Sequence, residues 1–159
     1  MAKRKGGKRK ASPGDVATNR QASYRYELLD KFEAGMVLRG TEVKALRESG
    51  AQMKDSYALV RDGEVFLENL HIPPYKPAAR ENHPPERERK LLLHKREIDR
   101  IVGRINERGL TLVPTRIYFR NGRAKVELAL ARGKDRFDQR QAIKEREMRR
   151  DLERAMSER

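Results

Sequence analysis

LTLVPTRIYFRNGRAKVELALA, residues 110–131, is the stretch that decides the fold. Asn121-Gly122 divides it into two arms of strand-like composition, and this dipeptide is the strongest short signal for a tight β-hairpin turn. Val126, Leu128 and Leu130 fall on one face of the strand, and Lys125 and Glu127 fall on the other. The stretch therefore predicts a long antiparallel hairpin with one buried face and one exposed face.

Weaker patterns along the chain predict the elements that surround this hairpin. Pro114, inside the first arm, cannot donate a ladder hydrogen bond and marks an edge or a bulge. The best helix has four apolar residues in one stripe at helical spacing, with a glycine where its C-terminal cap belongs. In chain order we predict a strand over 24–38, a helix over 42–48 capped by Thr41, strands at 57–60 and 65–67 around Asp62-Gly63, an irregular loop over 71–90, and a helix over 95–108 capped by Gly109.

This order of elements fits a mainly β fold with α-helices, namely a small antiparallel barrel of the oligonucleotide-binding type with flanking helices. Closing the sheet removes its edges and leaves a curved face for nucleic acid. Tyr118 and Arg120 lie along the predicted strands, where they suit base stacking or phosphate pairing. The alternative for the aromatic residues is that Tyr118 and Phe119 straddle the sheet, one of them in the core.

The chain is strongly basic, and its charge is unevenly placed. Its 38 Lys and Arg residues against 24 Asp and Glu residues give a net charge of +14, which attracts polyanions. Residues 1–12 hold six basic residues and no acidic one. We therefore predict a disordered basic arm over 1–18, the barrel over 19–132, and a basic tail over 133–159 that is flexible alone and helical when bound.

The sequence lacks the residues that characterise several classes of enzyme. The chain has no Cys, which excludes disulfides, thiolate metal sites and cysteine nucleophiles. The three His residues are widely spaced, and His71 and His83 lie in the proline-rich loop, where solvated side chains are expected. The sequence contains no dinucleotide fingerprint, phosphate loop or nucleophile elbow. We expect no enzymatic activity, cofactor or metal; a nuclease built from scattered carboxylates is the enzymatic alternative.

The hydropathy pattern predicts an intracellular protein. The basic residues at the N-terminus have no apolar stretch behind them, so they do not form a secretory signal. No apolar run reaches the length that spans a membrane. We expect a cytoplasmic protein without a membrane partner.

Specific strings of residues go further than composition does. They are NRQA at 19–22, FEAG at 32–35, GTEVKALR at 40–47, DSY at 55–57, DGE at 62–64, RKLLL at 89–93, RGK at 132–134, FDQR at 137–140 and IKER at 143–146. Together, in this order and at these intervals, they closely resemble the small protein B family, the SsrA-binding proteins that partner transfer-messenger RNA (tmRNA) in bacterial trans-translation. No single string is diagnostic, but the ordered set over residues 19–147 is very specific.

The resemblance implies that the barrel grips the tRNA-like domain of tmRNA and that the protein delivers this RNA to stalled ribosomes. The family's RNA-contact residues match Asn19, Glu33 and Leu92. Asn19 offers a donor and acceptors, Glu33 accepts from base or ribose donors, and Leu92 packs against an exposed base. Two alternatives stay open: Glu33 also fits a surface salt bridge, and Leu92, in its triple-leucine run, also fits the core. The other predicted RNA contacts are the basic residues Arg25, Lys44 and Arg120.

The resemblance also implies that the tail enters the messenger channel of the small ribosomal subunit, beside the decoding centre. Arg140, Lys144 and Arg146 would face ribosomal RNA phosphates there, and an intact messenger would block the channel. Elongation factor Tu is then an indirect partner, reached through the RNA. The tail residues predicted to contact the ribosome are Lys134, Phe137, Asp138, Arg140, Ile143, Lys144, Arg146 and Met148.

One alternative function keeps the same fold. A general RNA-binding ribosomal protein or RNA chaperone would share the barrel, the charge and the tails. It would not need Glu33 and Leu92 to discriminate one RNA from others.

Overall fold

A computed structural model of the chain describes residues 14–133 and 136–157. The strands are β1 (Asp15–Thr18), β2 (Tyr26–Met36), β3 (Tyr57–Arg61), β4 (Glu64–Glu68), β5 (Arg89–Leu92), β6 (Thr111–Arg120) and β7 (Arg123–Gly133). The helices are α1 (Arg20–Arg25), α2 (Gly40–Ser49), α3 (Lys95–Arg108) and α4 (Arg136–Ser157), and a short 3₁₀ helix spans Lys76–Glu81.

The β6–β7 hairpin forms around Asn121-Gly122, as predicted. Both turn residues are left-handed, with φ of 51° and 74°, which matches the tight turn that joins twisted strands. The inward residues Val126, Leu128 and Leu130 are fully buried. On the opposite face Ala129 and Ala131 are also buried, in a second cluster with Ala22, so that face is exposed only in part.

The strands form one antiparallel sheet that closes on itself. Its order is β1-β6-β3-β4-β5-β2-β7, and β7 pairs back to β6 to complete the ring. Two strands, β3 and β1, share the other edge of β6. Ala58 of β3 lies opposite Leu112, and Ala17 of β1 lies opposite Ile117. The register of β6 against β7 shifts just after Pro114, so the predicted irregularity is a bulge. The predicted antiparallel barrel of the oligonucleotide-binding type, with flanking helices, is confirmed.

The first strand corrects the predicted start of the folded region. The prediction of disorder over 1–18 is wrong for Asp15–Thr18, which pairs with β6. Ala17 is buried, and Val16 packs against the core. Four residues beside a proline and a glycine give no strand signal by themselves, and this segment becomes a strand because β6 offers it a free edge. Residues 1–13 of the predicted arm lie outside the described residues.

The helices pack on the barrel with their apolar positions inward. α3 has the predicted bounds and ends at Gly109, whose φ of 62° and ψ of 35° are left-handed. Ile101 is fully buried, and Ile98 and Ile105 pack against the core from the same stripe. α1 is absent from the sequence prediction, because its six residues include a single buried one, Ala22.

α2 begins earlier than predicted. It starts at Gly40 with Arg39 in the N-cap position, so Thr41 is not the cap. Thr41 Oγ1 instead lies 3.0 Å from His83 Nδ1, and His83 Nε2 lies 3.0 Å from the carbonyl oxygen of Ile72. The prediction of a solvated His83 is wrong: the side chain is 3% exposed, and partners at both ring nitrogens make its burial possible.

The tail is helical in this structure, whereas the sequence predicts a tail that is flexible on its own. The backbone of α4 is regular from Arg136 to Ser157, and every residue from Lys144 onward in this helix is exposed. The segment contains no Gly or Pro, and charged pairs such as Glu145 and Arg149 support a helix at i, i+4. Among the described helices, α4 included, none is long and apolar enough to cross a membrane.

Candidate nucleic-acid interface

Three neighbouring strands carry polar residues on their outward side. The register pairs Glu33 of β2 with Glu127 of β7, and Tyr118 of β6 with Lys125 of β7. The intervening residues, such as Phe32, point into the barrel and are buried. We call this surface the outer sheet face; its members are Lys31, Glu33, Arg116, Tyr118, Arg120, Lys125 and Glu127.

Two donors hold Glu33 in the outer sheet face. The Tyr118 hydroxyl donates to Glu33 Oε2 at 2.5 Å, and Arg120 Nη1 donates to the same oxygen at 3.2 Å. The hydrogen bond from Tyr118, followed by the charge of Arg120, lowers the pKa of Glu33 below its ordinary value. Burial and then the hydrogen bond to Glu33 raise the pKa of Tyr118 to about 12. Glu33 is therefore an ionised carboxylate. Its Oε1 accepts no hydrogen bond from the residues described, so this oxygen can accept one from a ligand.

Arg116 orients Tyr118 from the other side. Its Nε donates to Glu127 at 2.7 Å, and its Nη1 donates to Asp15 at 3.0 Å. Its guanidinium lies 4.5 Å from the centre of the Tyr118 ring. Asp15 belongs to β1. The strand that sequence patterns miss therefore helps to position the Tyr118 hydroxyl, which donates to Glu33.

Leu92 borders a groove next to the outer sheet face. It is 54% exposed, so the core alternative for this residue is wrong. Leu92 lies opposite Gly35 in the β2–β5 register, and a Cβ at Gly35 would lie 3.4 Å from Leu92 Cβ and 3.7 Å from Lys125 Nζ. The absence of that side chain keeps the groove open beside Leu92. The groove is lined on its apolar side by Met36, Leu38, Val43 and Leu92 and on its basic side by Arg123 and Lys125.

Glu33 and Leu92, which are far apart in the sequence, border one continuous surface. A cleft lined by Glu33 and Arg120 shares Arg123 and Lys125 with the Leu92 groove. This surface offers an apolar side chain, an anionic acceptor and three cations. Those groups suit an unstacked base together with its phosphate.

A buried ion cluster holds β5, and with it Leu92, against α2. Arg89 is fully buried and donates from Nε to Glu42 Oε2 at 2.7 Å, while Arg87 donates to Glu42 Oε1 at 2.5 Å. Burial alone would raise the pKa of Glu42, but a backbone N–H and the two guanidinium groups hold it below its ordinary value. Two carbonyl oxygens of the loop before β5 accept hydrogen bonds from Arg89 Nη1 and Nη2. The cluster therefore fixes the strand that presents Leu92.

Asn19 and Arg25 lie at a second location, around a pocket beside α1. Asn19 Nδ2 donates to the carbonyl oxygen of Pro114 at 2.9 Å. Arg25 forms an exposed ion pair with Asp55 at 2.8 Å. The structure thus brings Glu33, Leu92 and Arg120 together on one surface and places Asn19 and Arg25 together at another.

The remaining predicted site residues that the structure describes lie on helices. Lys44 is on the exposed side of α2, with its Nζ 5.6 Å from the centre of the Tyr75 ring. Lys144, Arg146 and Met148 are exposed on α4. The structure describes only the helical backbone for Phe137, Asp138, Arg140 and Ile143, and Lys134 lies outside the described residues.

Arg123 and Lys125 are missing from the sequence-based site. Alternation with buried Ala124 and Val126 signals that both point outward. Their position beside Leu92 depends on the pairing of β2 with both β5 and β7, which no local pattern reveals. No cluster of three or more His, Asp and Glu side chains that could hold a metal ion occurs among residues 14–133 and the described side chains of α4.

Comparison with known proteins agrees with this geometry. The family model described as SmpB protein matches residues 16–158. The SsrA-binding protein of Sulfurihydrogenibium sp. is 54% identical over 140 residues, which are 88% of this chain and 92% of that protein. The SsrA-binding protein of Syntrophobacter fumaroxidans is 57% identical over 139 residues, 87% of this chain and 86% of that protein.

A solved structure extends the comparison to three dimensions. A chain of the structure described as "tmRNA-SmpB: a journey to the center of the bacterial ribosome" is 48% identical to this one. The match covers 80% of this chain and 93% of that chain, with a TM-score of 0.65. The resemblance read from the sequence strings is confirmed: this chain belongs to the SmpB protein family.

Proposed function

We propose that this chain binds the tRNA-like domain of tmRNA and delivers it to stalled ribosomes for trans-translation. Relatives that are more than half identical are named SsrA-binding proteins, and the similar solved chain comes from a tmRNA-SmpB structure of the bacterial ribosome. The observation that carries the proposal is the common surface of Glu33 and Leu92 beside Arg123 and Lys125.

Each part of this surface has a separate role in recognition. Leu92 covers the face of an unstacked loop base, and Glu33 Oε1 accepts from a base amino group or a ribose hydroxyl. Arg120, Arg123 and Lys125 neutralise phosphates, which strengthens binding at low salt without reading the sequence. Selectivity for one RNA therefore depends on Glu33 and Leu92, and affinity depends mainly on the cations.

The tail helix fits the second step, which takes place on the ribosome. α4 has 22 residues, and at 1.5 Å per residue it is about 33 Å long. Lys144 and Arg146 are exposed on it and reach ribosomal RNA phosphates when the tail lies in the messenger channel beside the decoding centre. An intact messenger occupies that channel, so the tail enters only where the messenger ends.

The proposed role requires no bond chemistry from this chain. Aminoacylation belongs to a synthetase and peptide transfer belongs to the ribosome, while elongation factor Tu accompanies the RNA. The protein acts as an adaptor in the cytoplasm, where its ribosomal partner works. A general RNA-binding protein with the same barrel is the second candidate, since the excess of basic residues serves it equally well.

Competition binding separates the two candidates. The full chain should bind tmRNA in preference to a random RNA duplex of equal length, and both affinities should fall steeply with salt. Equal affinity for the two RNAs at moderate salt would reduce the chain to a non-specific binder.

The matched pair Glu33→Ala and Glu64→Ala tests the surface itself. Both carboxylates are exposed and ion-paired, and Glu64 pairs with Lys90 at 3.0 Å on another part of the barrel. Loss of a hydrogen bond to a charged group is worth about 1.5–3 kcal/mol, so Glu33→Ala should weaken tmRNA binding roughly tenfold or more. Glu64→Ala should leave it unchanged, and equal effects of the two substitutions would contradict the assignment.

A further inference from the structure

The sequence of β5 leaves the register of this strand open. It reads RKLL and is followed by a third leucine, Leu93. Leu91 is 2% exposed in the barrel, whereas Leu92 points outward and is 54% exposed. A slip of one residue would turn Leu91 outward and Leu92 inward, because side chains alternate along a strand. Since one leucine would replace another in the core, burial of apolar surface does not choose between the two registers.

The segments on either side of β5 permit this slip. β5 has four residues, so its ladder with β4 and β2 is short. The segment before it covers residues 69–88, and lengthening so long a connection by one residue costs little free energy. On the other side His94, at the N-cap of α3, makes no side-chain capping hydrogen bond with the described residues. The register therefore depends on a contact outside the strand ladder.

Arg89 makes that contact from the buried side of β5. Its side chain is fully buried, and its Nε donates to Glu42 Oε2 of α2 at 2.7 Å. Its Nη1 donates to the carbonyl oxygen of Leu70, and its Nη2 donates to that of Pro85 at 2.9 Å. A guanidinium carries its donors in a fixed planar fork, so it meets three separate acceptors at once. This point of the barrel is therefore built for an arginine.

Each slipped register would place a less suitable group beside Glu42. If the chain moved one residue toward the preceding loop, Lys90 would take the place of Arg89. The single compact ammonium of a lysine does not reach all three acceptors. If the chain moved the other way, Glu88 would take that place, and two carboxylates would meet in the core. The register with Arg89 inward is therefore the one that satisfies Glu42.

We propose that the Glu42–Arg89 pair locks the register of β5 and thereby positions Leu92 for RNA. Apolar residues often replace a buried ion pair without loss of stability, and fixing a register is the best-supported role of such pairs. The lock keeps Leu92 in its groove and keeps Lys90 outward. The inference rests on the proposed function only for the RNA, because the register of β5 is a property of the free protein.

Arg89→Lys tests the lock, because it makes the two registers alike. The buried site beside Glu42 then receives a lysine in either register, from position 89 or from position 90. NMR of the full chain follows the cross-strand contacts of Phe66, which lies opposite Lys90 in the native register and would lie opposite Leu91 in the slipped one. Wild type should show the native contact alone. Arg89→Lys should show both contacts, with populations within about tenfold of each other, and the native contact alone in this variant would overturn the proposal.

Two further variants make the result specific to the lock. Adding Lys90→Thr to Arg89→Lys removes the competing lysine and should restore a single register, because the slipped chain then gives Glu42 no cation from β5. Arg61→Lys is the matched control, because Arg61 forms an exposed ion pair with Glu88 at 2.7 Å, and β5 should keep its register. A second register that persists after Lys90→Thr, or that also appears in Arg61→Lys, would overturn the proposal.

Urea unfolding and tmRNA binding complete the test. Arg89→Lys should unfold cooperatively, and a variant that does not fold would overturn the proposal by showing that the guanidinium supports the fold itself. Its affinity for tmRNA should fall about twofold or more, because the slipped register turns Lys90 inward and lowers the population that is competent to bind. Unchanged affinity in a variant with two registers would overturn the role of the lock in RNA binding. Failure of wild type to bind tmRNA would instead refute the proposed function and leave the register result standing.

Discussion

Leu92→Ala tests the apolar half of the tmRNA surface. Since 54% of Leu92 is exposed in the free protein, RNA binding has about half of the side chain left to bury. Burying a whole leucine is worth about 1.5–3 kcal/mol, so covering the exposed half contributes on the order of 1 kcal/mol, or about fivefold in affinity. The buried half of the side chain contributes to folding by the same reasoning, so the free energy of unfolding should fall by no more than about 1 kcal/mol.

Fluorescence anisotropy with labelled tmRNA measures the affinity, and urea unfolding of the same protein measures the free energy of unfolding. Leu152→Ala is the control, because Leu152 is 60% exposed on α4, which the proposed function assigns to the ribosomal step. Wild-type affinity in Leu92→Ala, or equal losses in the two variants, would refute the reasoning. A loss of several kcal/mol in unfolding would instead show that Leu92 supports the fold.

Three further predictions concern the hydroxyl donor, the first strand and the tail. Tyr118→Phe should raise the pKa of Glu33 towards its ordinary value, measured by NMR titration of the carboxyl group, because Tyr118 contributes most to lowering it. A depressed carboxyl pKa stabilises the fold above the ordinary value and loses this effect as pH falls through the folded value, so wild type and variant should converge in stability in acid. Gly50→Ala should lower the free energy of unfolding by about 1–3 kcal/mol in urea, because φ is +72° and the new Cβ would lie 2.7 Å from a backbone oxygen of β1. Gly63→Ala is the control, because its φ is +74° but its Cβ would meet no atom within 4 Å, so it should cost less. Equal losses in the two variants would exclude the clash. A chain ending at Gly133 should keep its tmRNA affinity but fail to support peptide tagging on stalled ribosomes, and normal tagging would remove the tail from the mechanism.

Elements whose signals are local are the ones that the sequence predicts correctly. Asn121-Gly122 forms its turn from its own backbone preferences, and the bounds of α3 follow from its apolar stripe and Gly109. β1 and the start of α2 depend on distant partners instead. β1 is a strand because β6 has a free edge, and Thr41 leaves the cap position to meet His83.

The candidate site also has some features that the sequence predicts and others that depend on distant contacts. Glu33 and Leu92 are identified through the resemblance of their strings, but the sequence leaves open whether Leu92 is exposed. Its exposure follows from the pairing of β5, which the buried contact of Glu42 with Arg89 fixes. No spacing rule connects those two residues along the chain, so the cluster could not be predicted. Lys125 is predictable as an outward residue and not as a neighbour of Leu92.

Closure of the barrel by distant strands has a consequence during protein synthesis. Arg116 contacts Asp15 across 101 residues, and Tyr118 contacts Glu33 across 85. Such contacts form late, because the intervening chain must first be made and then brought together. A growing chain therefore lacks the outer sheet face until β6 and β7 have emerged from the ribosome that translates it, and α4 emerges after them. The molecule gains its capacity to capture RNA only after the last two strands of the barrel have been made.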